Sequence, residues 1–322
     1  MRQREGSPWQ GLGTVYAKEL AEHLSSIRMI VLQILIFAIA CVVVYFAIDY
    51  IKENVPEDPF VLLKLFISSQ STVLSLVFIL GFLIPVMAIA LGFDAINSEH
   101  NRRTLSRILA QPIYRDALLA GKFLAALTTL GISLLCLWLL VIGFGILMLG
   151  VPPSGEELAR AFAFLVVTLA YAGTWLALAM LLSIVTRSAA TAVLVCLGIW
   201  LFLAFIWPAF VPGIASLIAP SDPRYALFGL RDPTTVHWEE MLRRISPNDL
   251  FNNAAVVLLA PDTRQVSQLI DITQWQGAIL GSPLPLTESL AIAWPEVVSL
   301  IAGVIVLFVA GYVVFQRQEV RA

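Results

Sequence analysis

The residues that most often carry chemistry are few in this chain, and none is spaced for a known reaction. No histidine stands in the H-E-x-x-H pattern that places two imidazoles on one zinc ion, and there are only three: His23, His100 and His237. No G-x-S-x-G elbow is present to expose a nucleophilic serine. Adjacent residues do not share a helix face, so Glu156-Glu157 and Glu239-Glu240 are predicted to be solvated charges rather than acid–base pairs. The sequence therefore predicts no catalytic residue, no metal ligand and no bound cofactor.

The chain also offers no energy source of its own. It lacks the G-x-x-x-x-G-K-[ST] loop that cradles nucleotide phosphates, and Gly121-Lys122 is only a fragment of that pattern. Its long apolar segments hold none of the charged residues that mark a proton path, which argues against a proton-coupled carrier. Sodium coupling through backbone carbonyls remains open. If this protein moves a substrate actively, another polypeptide must supply the energy.

Six long stretches lack Asp, Glu, Lys, Arg and His altogether: 29–48, 65–93, 123–155, 161–186, 188–221 and 297–316. Each reaches the roughly 20 apolar residues that a helix needs to cross a bilayer, and backbone within lipid must satisfy its own hydrogen bonds. Composition agrees, with 59% hydrophobic and 13% charged residues. We predict an all-α integral membrane protein with one transmembrane domain over 1–322. Its six transmembrane helices are placed at 29–48, 72–93, 123–150, 161–186, 188–207 and 297–316.

Charge asymmetry predicts the orientation. Six spans leave both termini on one side, together with the 94–122 loop and the turn at Arg187. That side holds 12 of the 20 basic residues but only 7 of the 22 acidic ones. Because Lys and Arg near span ends favour the cytoplasm, both termini are predicted to be cytoplasmic in a multi-pass cell (plasma or inner) membrane protein.

The N-terminal segment, residues 1–28, has the pattern of an amphipathic helix. Apolar residues recur at helical spacing and polar residues fall on other faces: Tyr16, Leu20, Leu24 and Ile27 against Lys18, Glu22 and Ser25. Its position just before the first span favours an interfacial helix on the inner membrane surface, in contact with lipid. The alternative is a short cytoplasmic helix packed on protein.

Residues 208–294 form the largest connection, too long for an unstructured loop, and are predicted to make an external helical cap. Trp207-Pro208 and Pro212-Gly213 predict that span five ends or breaks near Ile206, leaving 208–221 irregular or re-entrant. Short helices are predicted at Val236–Ile245, Asp249–Leu259 and Thr263–Trp275. Ser246-Pro247 marks the start of the second of these, and Pro261 its end.

The cytoplasmic loop between spans two and three is the most distinctive segment. Thr104 is placed to cap a short helix that continues through Ile108 and Leu109. Pro112 breaks that helix and opens the next one, which carries Arg115. An apolar stripe flanked by arginines suits docking into the groove of a partner, and the alternative is a basic anchor touching lipid headgroups.

This loop resembles the ABC-2 family of ABC transporter permeases. The family pattern places an acidic residue before basic residues, then Thr-Leu, Leu-x-x-Pro-x-x-Arg and a Gly-Lys that opens the next span. The matching residues are Glu99, Arg102, Thr104, Leu105, Leu109, Pro112, Arg115, Gly121 and Lys122. The resemblance extends to Lys18-Glu19-Leu20, Thr186-Arg187-Ser188 and Ser246-Pro247, and is closest to the subgroup that contains the nitrous-oxide reductase maturation permease.

The resemblance implies a transport subunit that is not itself an enzyme. Two permease subunits, identical or different, would assemble with two copies of an ABC ATPase subunit, which would bind ATP and Mg. Those ATPases would contact the N-terminal helix and the 94–118 loop, and hydrolysis would drive transport, usually export. The expected coupling residues are Glu99, Arg102, Thr104, Leu105, Ile108, Leu109, Pro112 and Arg115 in the loop, with Tyr16, Lys18, Glu19, Leu20 and Leu24 in the interfacial helix. No nucleic-acid partner is expected.

Two other functions remain open from the sequence alone. A membrane-embedded, lipid-modifying enzyme would need a polar constellation near an interface, and the available residues are scattered ones such as Asp94, Glu99 and Arg102. A non-transporting scaffold or sensor would act through the external cap.

Overall fold

The computed structural model describes residues 11–54, 60–67, 75–101, 115–186, 188–220, 224–225, 231–260 and 284–317. Within these ranges the secondary structure is helical, with no strand. The helices are α1 (Leu12–Ser25), α2 (Ile27–Asn54), α3 (Val61–Ile67), α4 (Leu76–Gly92), α5 (Asn97–Asn101), α6 (Arg115–Leu149), α7 (Gly155–Val185), α8 (Ala189–Leu201), a π-helical turn (Phe202–Ile206), α9 (Trp207–Ile218), α10 (Pro233–Arg243), α11 (Pro247–Leu259) and α12 (Leu286–Arg317).

Six of these helical segments are long and apolar enough to cross a membrane, which confirms the predicted number. They are Ile27–Glu53, Leu76–Glu99, Arg115–Leu149, Gly155–Val185, Ala189–Ile218 and Leu286–Arg317. Most extend beyond the charge-free runs, because a helix can continue into the aqueous region once its apolar centre is placed. This is an all-α, multi-pass membrane protein.

The turn between α6 and α7 follows from local sequence. Helix α6 stops at Gly150, whose positive φ of 71° places it in the left-handed region that glycine adopts without strain. After two prolines, Ser154 starts α7 with a capping box: its hydroxyl accepts from the Glu157 amide, and Glu157 accepts from the Ser154 amide. The chain therefore reverses at Pro152-Pro153, just after the predicted end of span three at residue 150.

Helix α7 is the centre of the bundle and packs against α4, α6, α11 and α12. Small residues allow these helices to approach closely. A Cβ added at Gly92 of α4 would lie 2.8 Å from the Cβ of Ala179 on α7, so the two backbones touch where no larger side chain fits. Much of the outer surface of α2, α8 and α12 is exposed and apolar, as expected where a helix faces lipid or another membrane protein.

Span five does not end where its prolines predicted. The chain changes to a π-helical turn at Phe202–Ile206, in which the Trp207 amide donates to the Phe202 carbonyl, and continues as α9 to Ile218. A π turn shifts the hydrogen-bond register just before Pro208, so the missing proline amide falls in the first turn of α9. The prediction that 208–221 is irregular is therefore wrong through Ile218.

Helix α11 lies within the bundle instead of lying on top of it. Phe251 is fully buried and stacks on Tyr171 of α7, with ring centroids 4.6 Å apart. The Tyr171 hydroxyl donates to the Gly81 carbonyl of α4 at 2.8 Å and lies 3.2 Å from the Asn248 side chain. Since Tyr171 is near the middle of α7, the N-terminus of α11 reaches about half-way through the bundle. The helices predicted at Val236–Ile245 and Asp249–Leu259 are present as α10 and α11, whereas Thr263–Trp275 lies outside the described residues.

A buried arginine joins the other end of α11 to its neighbours. Arg160 of α7 is fully buried and donates to Glu156 at 2.8 Å, to Ser289 at 3.0 Å and to the Leu258 carbonyl at 3.3 Å. The neighbouring Glu157 is buried and accepts from the Leu62 amide at 3.0 Å. The prediction that both acidic pairs are solvated is thus wrong for Glu157, and also for Glu239, which is buried and paired with Arg231.

Candidate coupling site at the ends of the helices

Helix α1 packs along the first turns of α6. Its buried residues are Val15 and Glu19, one helical turn apart. The contact depends on Gly121, because a Cβ added there would lie 2.9 Å from the Cγ1 atom of Val15. Farther along the interface, the Tyr16 hydroxyl donates to the Thr128 hydroxyl at 3.2 Å.

Lys122 lies at the centre of a buried ion cluster, defined here as Glu19, Glu99 and Lys122. The Lys122 Nζ atom is 2.8 Å from a carboxylate oxygen of Glu19 on α1 and 2.8 Å from one of Glu99 on α5. The three side chains are only 7%, 9% and 11% exposed for Lys122, Glu19 and Glu99 respectively. One ammonium thus joins three segments that are far apart in sequence, and removing it would leave two buried carboxylates without that partner.

The electrostatics of α1 favour the charged form of the cluster. Burial acts to raise the pKa of Glu19, but Lys122 and Lys18 beside it outweigh that effect and hold its pKa below the usual value. Lys18, which is 3.1 Å from both Glu19 and Glu22, has a raised pKa because those carboxylates outweigh its partial burial. His23 sits one turn from Glu19, and burial lowers its pKa despite the acidic residues nearby.

The segment after α4 is tied to the far end of α7 and to the start of α2. The backbone amides of Ile96 and Asn97 both donate to the buried Ser183 hydroxyl, at 3.1 and 3.2 Å. Arg28 forms a 2.9 Å ion pair with Asp94 and lies over the Phe93 ring. A displacement of this segment would therefore act on α2 and α7 as well as on α6.

The start of α6 is connected to the end of α12. The Arg115 guanidinium donates to the Phe315 carbonyl at 3.4 Å and lies 5.9 Å from the centre of that ring. Gln316 donates to the Asp116 carboxylate. Arg115 is thus not part of the ion cluster, although it belongs to the same end of the bundle.

The predicted site residues are only partly within the described residues. Glu19 and Glu99 come together through Lys122, whereas Arg115, at the start of α6, contacts Phe315 of α12. The remaining loop residues lie outside the described residues: Arg102, Thr104, Leu105, Ile108, Leu109 and Pro112. The coupling role of all of these residues stays a prediction.

The interfacial helix shows two faces of different character. Val15 and Glu19 of α1 face α6, whereas Leu20 is half-buried and Leu24 is 46% exposed; Ile27, which was predicted to share that helix, begins α2 and is 79% exposed. The alternative prediction, that this helix packs on protein, therefore applies to the face that carries Val15 and Glu19. Contact of Leu24 and Ile27 with lipid stays a prediction.

Sequence reasoning missed the central position of Lys122 and the role of Ser183. The signal for Lys122 was present, since it is the last charged residue before a long apolar run and follows a glycine. Ser183 had no signal, because a serine near the end of a span usually bonds within its own helix. Among the described residues, no group of three or more His, Cys, Asp or Glu could hold a metal ion.

The family model for the ABC-2 family transporter proteins matches residues 13–320, which is nearly the whole chain. The chain belongs to the ABC-2 transporter family. It is 25% identical over 266 residues to the probable ABC transporter permease protein NosY of Stutzerimonas stutzeri, covering 79% of this chain and 82% of that protein. It is 28% identical over 234 residues to the protein of the same name from Pseudomonas aeruginosa, covering 71% and 73%. Membership of this family makes the chain a permease-type transport subunit.

Proposed function

We propose that this chain is the transmembrane subunit of an ABC exporter in the cell membrane, with both termini in the cytoplasm. Two permease subunits, identical or different, pair within the membrane, and two ATPase subunits bind at their cytoplasmic ends. ATP and Mg bind the ATPases, and the permease contributes the passage for the substrate. Family membership, the two similar permeases and the basic-residue asymmetry support this arrangement.

The buried ion cluster is the observation that carries the proposal. A force applied to the loop that follows Glu99 would reach α6 directly, because Glu99 and Lys122 are 2.8 Å apart. It would also reach α1 through Glu19, α2 through Arg28 and α7 through Ser183. A buried, charge-assisted contact transmits displacement well, since breaking it costs more than breaking a solvated pair.

The same contacts disfavour a lipid-modifying enzyme. Such an enzyme would use Asp94 or Glu99 as an acid or base near the membrane surface. Asp94 is instead held by Arg28, and Glu99 is held by Lys122 and largely buried. A carboxylate that already contacts a cation of its own chain is less available to a substrate.

Purification of the chain from its native membrane tests the proposal. We expect a tagged chain to retain an ABC ATPase that carries its own phosphate-binding loop, and we expect ATP hydrolysis to depend on that second protein. Removing the partner with high salt should abolish hydrolysis, because this sequence contains no such loop. Hydrolysis by the permease alone, free of contaminating protein, would refute the assignment.

A further inference from the structure

A polar cleft lies between α10, α11 and α12, at the opposite end of α12 from the C-terminus. Its volume is about 260 Å³. Its charged lining comes from α10 and the residues close to its two ends, with one residue from α12: Arg231, Glu239, Glu240, Arg243, Arg244 and Glu296. Three arginines and three glutamates leave the lining without a net charge, which favours a ligand that carries both signs over a simple anion or cation.

Arg231 and Glu239 of the cleft pair with each other at 2.5 Å, whereas Arg243 and Arg244 lie farther from their nearest carboxylates. The Arg244 guanidinium is 3.9 Å from the nearer Glu296 oxygen, and Arg243 is 4.0 Å from Asp249. Both separations exceed hydrogen-bond length. The second Glu296 oxygen is buried and has no hydrogen-bond partner among the described residues, and the same is true of Asp249. A buried carboxylate oxygen without a partner is costly, so a bound donor would stabilise this region.

Glu296 immediately precedes the charge-free run 297–316 of α12, which is the length a helix needs to cross the hydrocarbon. On this ground we place the cleft near the lipid headgroups. Next to the cleft, Trp294 is 65% exposed, and the outward face of α10 is apolar, with Trp238 41% and Met241 48% exposed. Exposed tryptophans are typical of membrane–water interfaces.

We propose that this cleft binds the headgroup of a zwitterionic phospholipid that carries a primary ammonium, as in phosphatidylethanolamine. Arg243 and Arg244 hold the phosphate, because guanidinium groups form strong paired hydrogen bonds with phosphate oxygens. The ammonium donates to Glu296 and Glu240. The acyl chains lie along the exposed apolar surface beside Trp238 and Trp294. A choline headgroup has the same charges but no N–H donor, and a glycerol headgroup has no positive charge, so both fit less well.

Native mass spectrometry of the purified full chain tests this inference without an ATPase. The probes are phosphatidylethanolamine, phosphatidylcholine and phosphatidylglycerol with identical acyl chains, each titrated in detergent. We expect phosphatidylethanolamine to bind about tenfold more tightly than the other two, given the worth of charge-assisted hydrogen bonds. Glu296→Gln and Arg244→Gln should each remove most of that preference. Glu288→Gln is the control, because it makes the same change at an exposed site on α12 outside the cleft.

Equal binding of the three lipids would overturn the proposal, as would unchanged selectivity in Glu296→Gln and Arg244→Gln. Preference for phosphatidylglycerol would also overturn it, since this would mean that the arginines form a simple anion site. If Glu296→Gln fails to fold, Glu240→Gln carries the same test, because Glu240 is only partly buried and also lines the cleft.

Discussion

Lys122 places one ammonium between two buried carboxylates, and this contact should be expensive to break. We expect Lys122→Met to destabilise the folded protein by about 3–5 kcal/mol, because both buried carboxylates would lose their shared ammonium and Glu19 would keep only the more exposed Lys18 beside it. Thermal unfolding in detergent measures this. Lys18→Met is the control, since that side chain is 56% exposed and its ion pairs should contribute less than about 1 kcal/mol. Equal effects of the two substitutions would contradict the structural account of the cluster.

His23 and Glu19 of α1 predict how the stability of the folded chain depends on pH. The pKa values of His23 and Glu19 are both lower in the folded chain than usual. At a pH between the folded and the unfolded pKa of either group, the unfolded chain therefore binds more protons than the folded one. The stability that each group contributes is fully present above its pKa in the unfolded chain. It is lost as the pH falls through its pKa in the folded chain. Stability should therefore begin to fall below about pH 6.5, the ordinary imidazole value. His23→Gln should flatten the fall that begins just below pH 6.5 and leave the Glu19 part at lower pH; a curve unchanged by His23→Gln would argue against a lowered pKa for His23.

Helix α1 is held on α6 by a close approach at Gly121, which makes one substitution diagnostic at the level of the element. We expect Gly121→Leu to displace α1, because a Cβ at that position already meets Val15 at 2.9 Å. Protease sensitivity of residues 11–26 should rise while the membrane bundle stays intact. Gly143→Leu, on the same helix with no atom within 4 Å of the added Cβ, should have little effect. Protection of α1 equal to wild type in Gly121→Leu would show that this contact does not hold the helix.

Individual elements also show what a sequence can and cannot predict. The six charge-free runs locate the spans because the cost of burying charge in lipid is a local property of the chain. Gly150 and Ser154 mark a helix end and a helix start for the same local reason. The burial of α11 depends on partners distant in sequence, since Asn248 lies 3.2 Å from Tyr171 and the Ser246 hydroxyl donates to the Leu203 carbonyl. No local pattern indicates these contacts. In the candidate site, the residue types were predictable from the sequence. The contact between Glu19, Glu99 and Lys122 was not, because it forms only when distant segments pack together in the tertiary structure.

For the molecule as a whole, orientation in the membrane follows from the uneven distribution of basic residues. We expect the 94–122 loop in the cytoplasm and α10 outside the cell. Single cysteines at Ser106 and Thr234, in a background without Cys41, Cys136 and Cys196, test this with an impermeant thiol reagent. In intact cells only the Thr234→Cys variant should be labelled. Labelling of Ser106→Cys but not Thr234→Cys would reverse the topology.

Transmission of ATPase motion through the loop after Glu99 is the central claim for the whole transporter. The measurement that tests it most directly is recovery of the ATPase with the tagged permease, together with its rate of ATP hydrolysis, for wild type, Leu105→Asp and Arg103→Ala. Losing an apolar anchor at the centre of an interface typically costs about 2 kcal/mol or more, whereas a charge at the rim matters less. Leu105→Asp should therefore release or uncouple the ATPase while the permease still inserts in the membrane, and Arg103→Ala should stay close to wild type. Wild-type recovery and hydrolysis with Leu105→Asp would mean that this loop is only a membrane anchor, and would contradict the account.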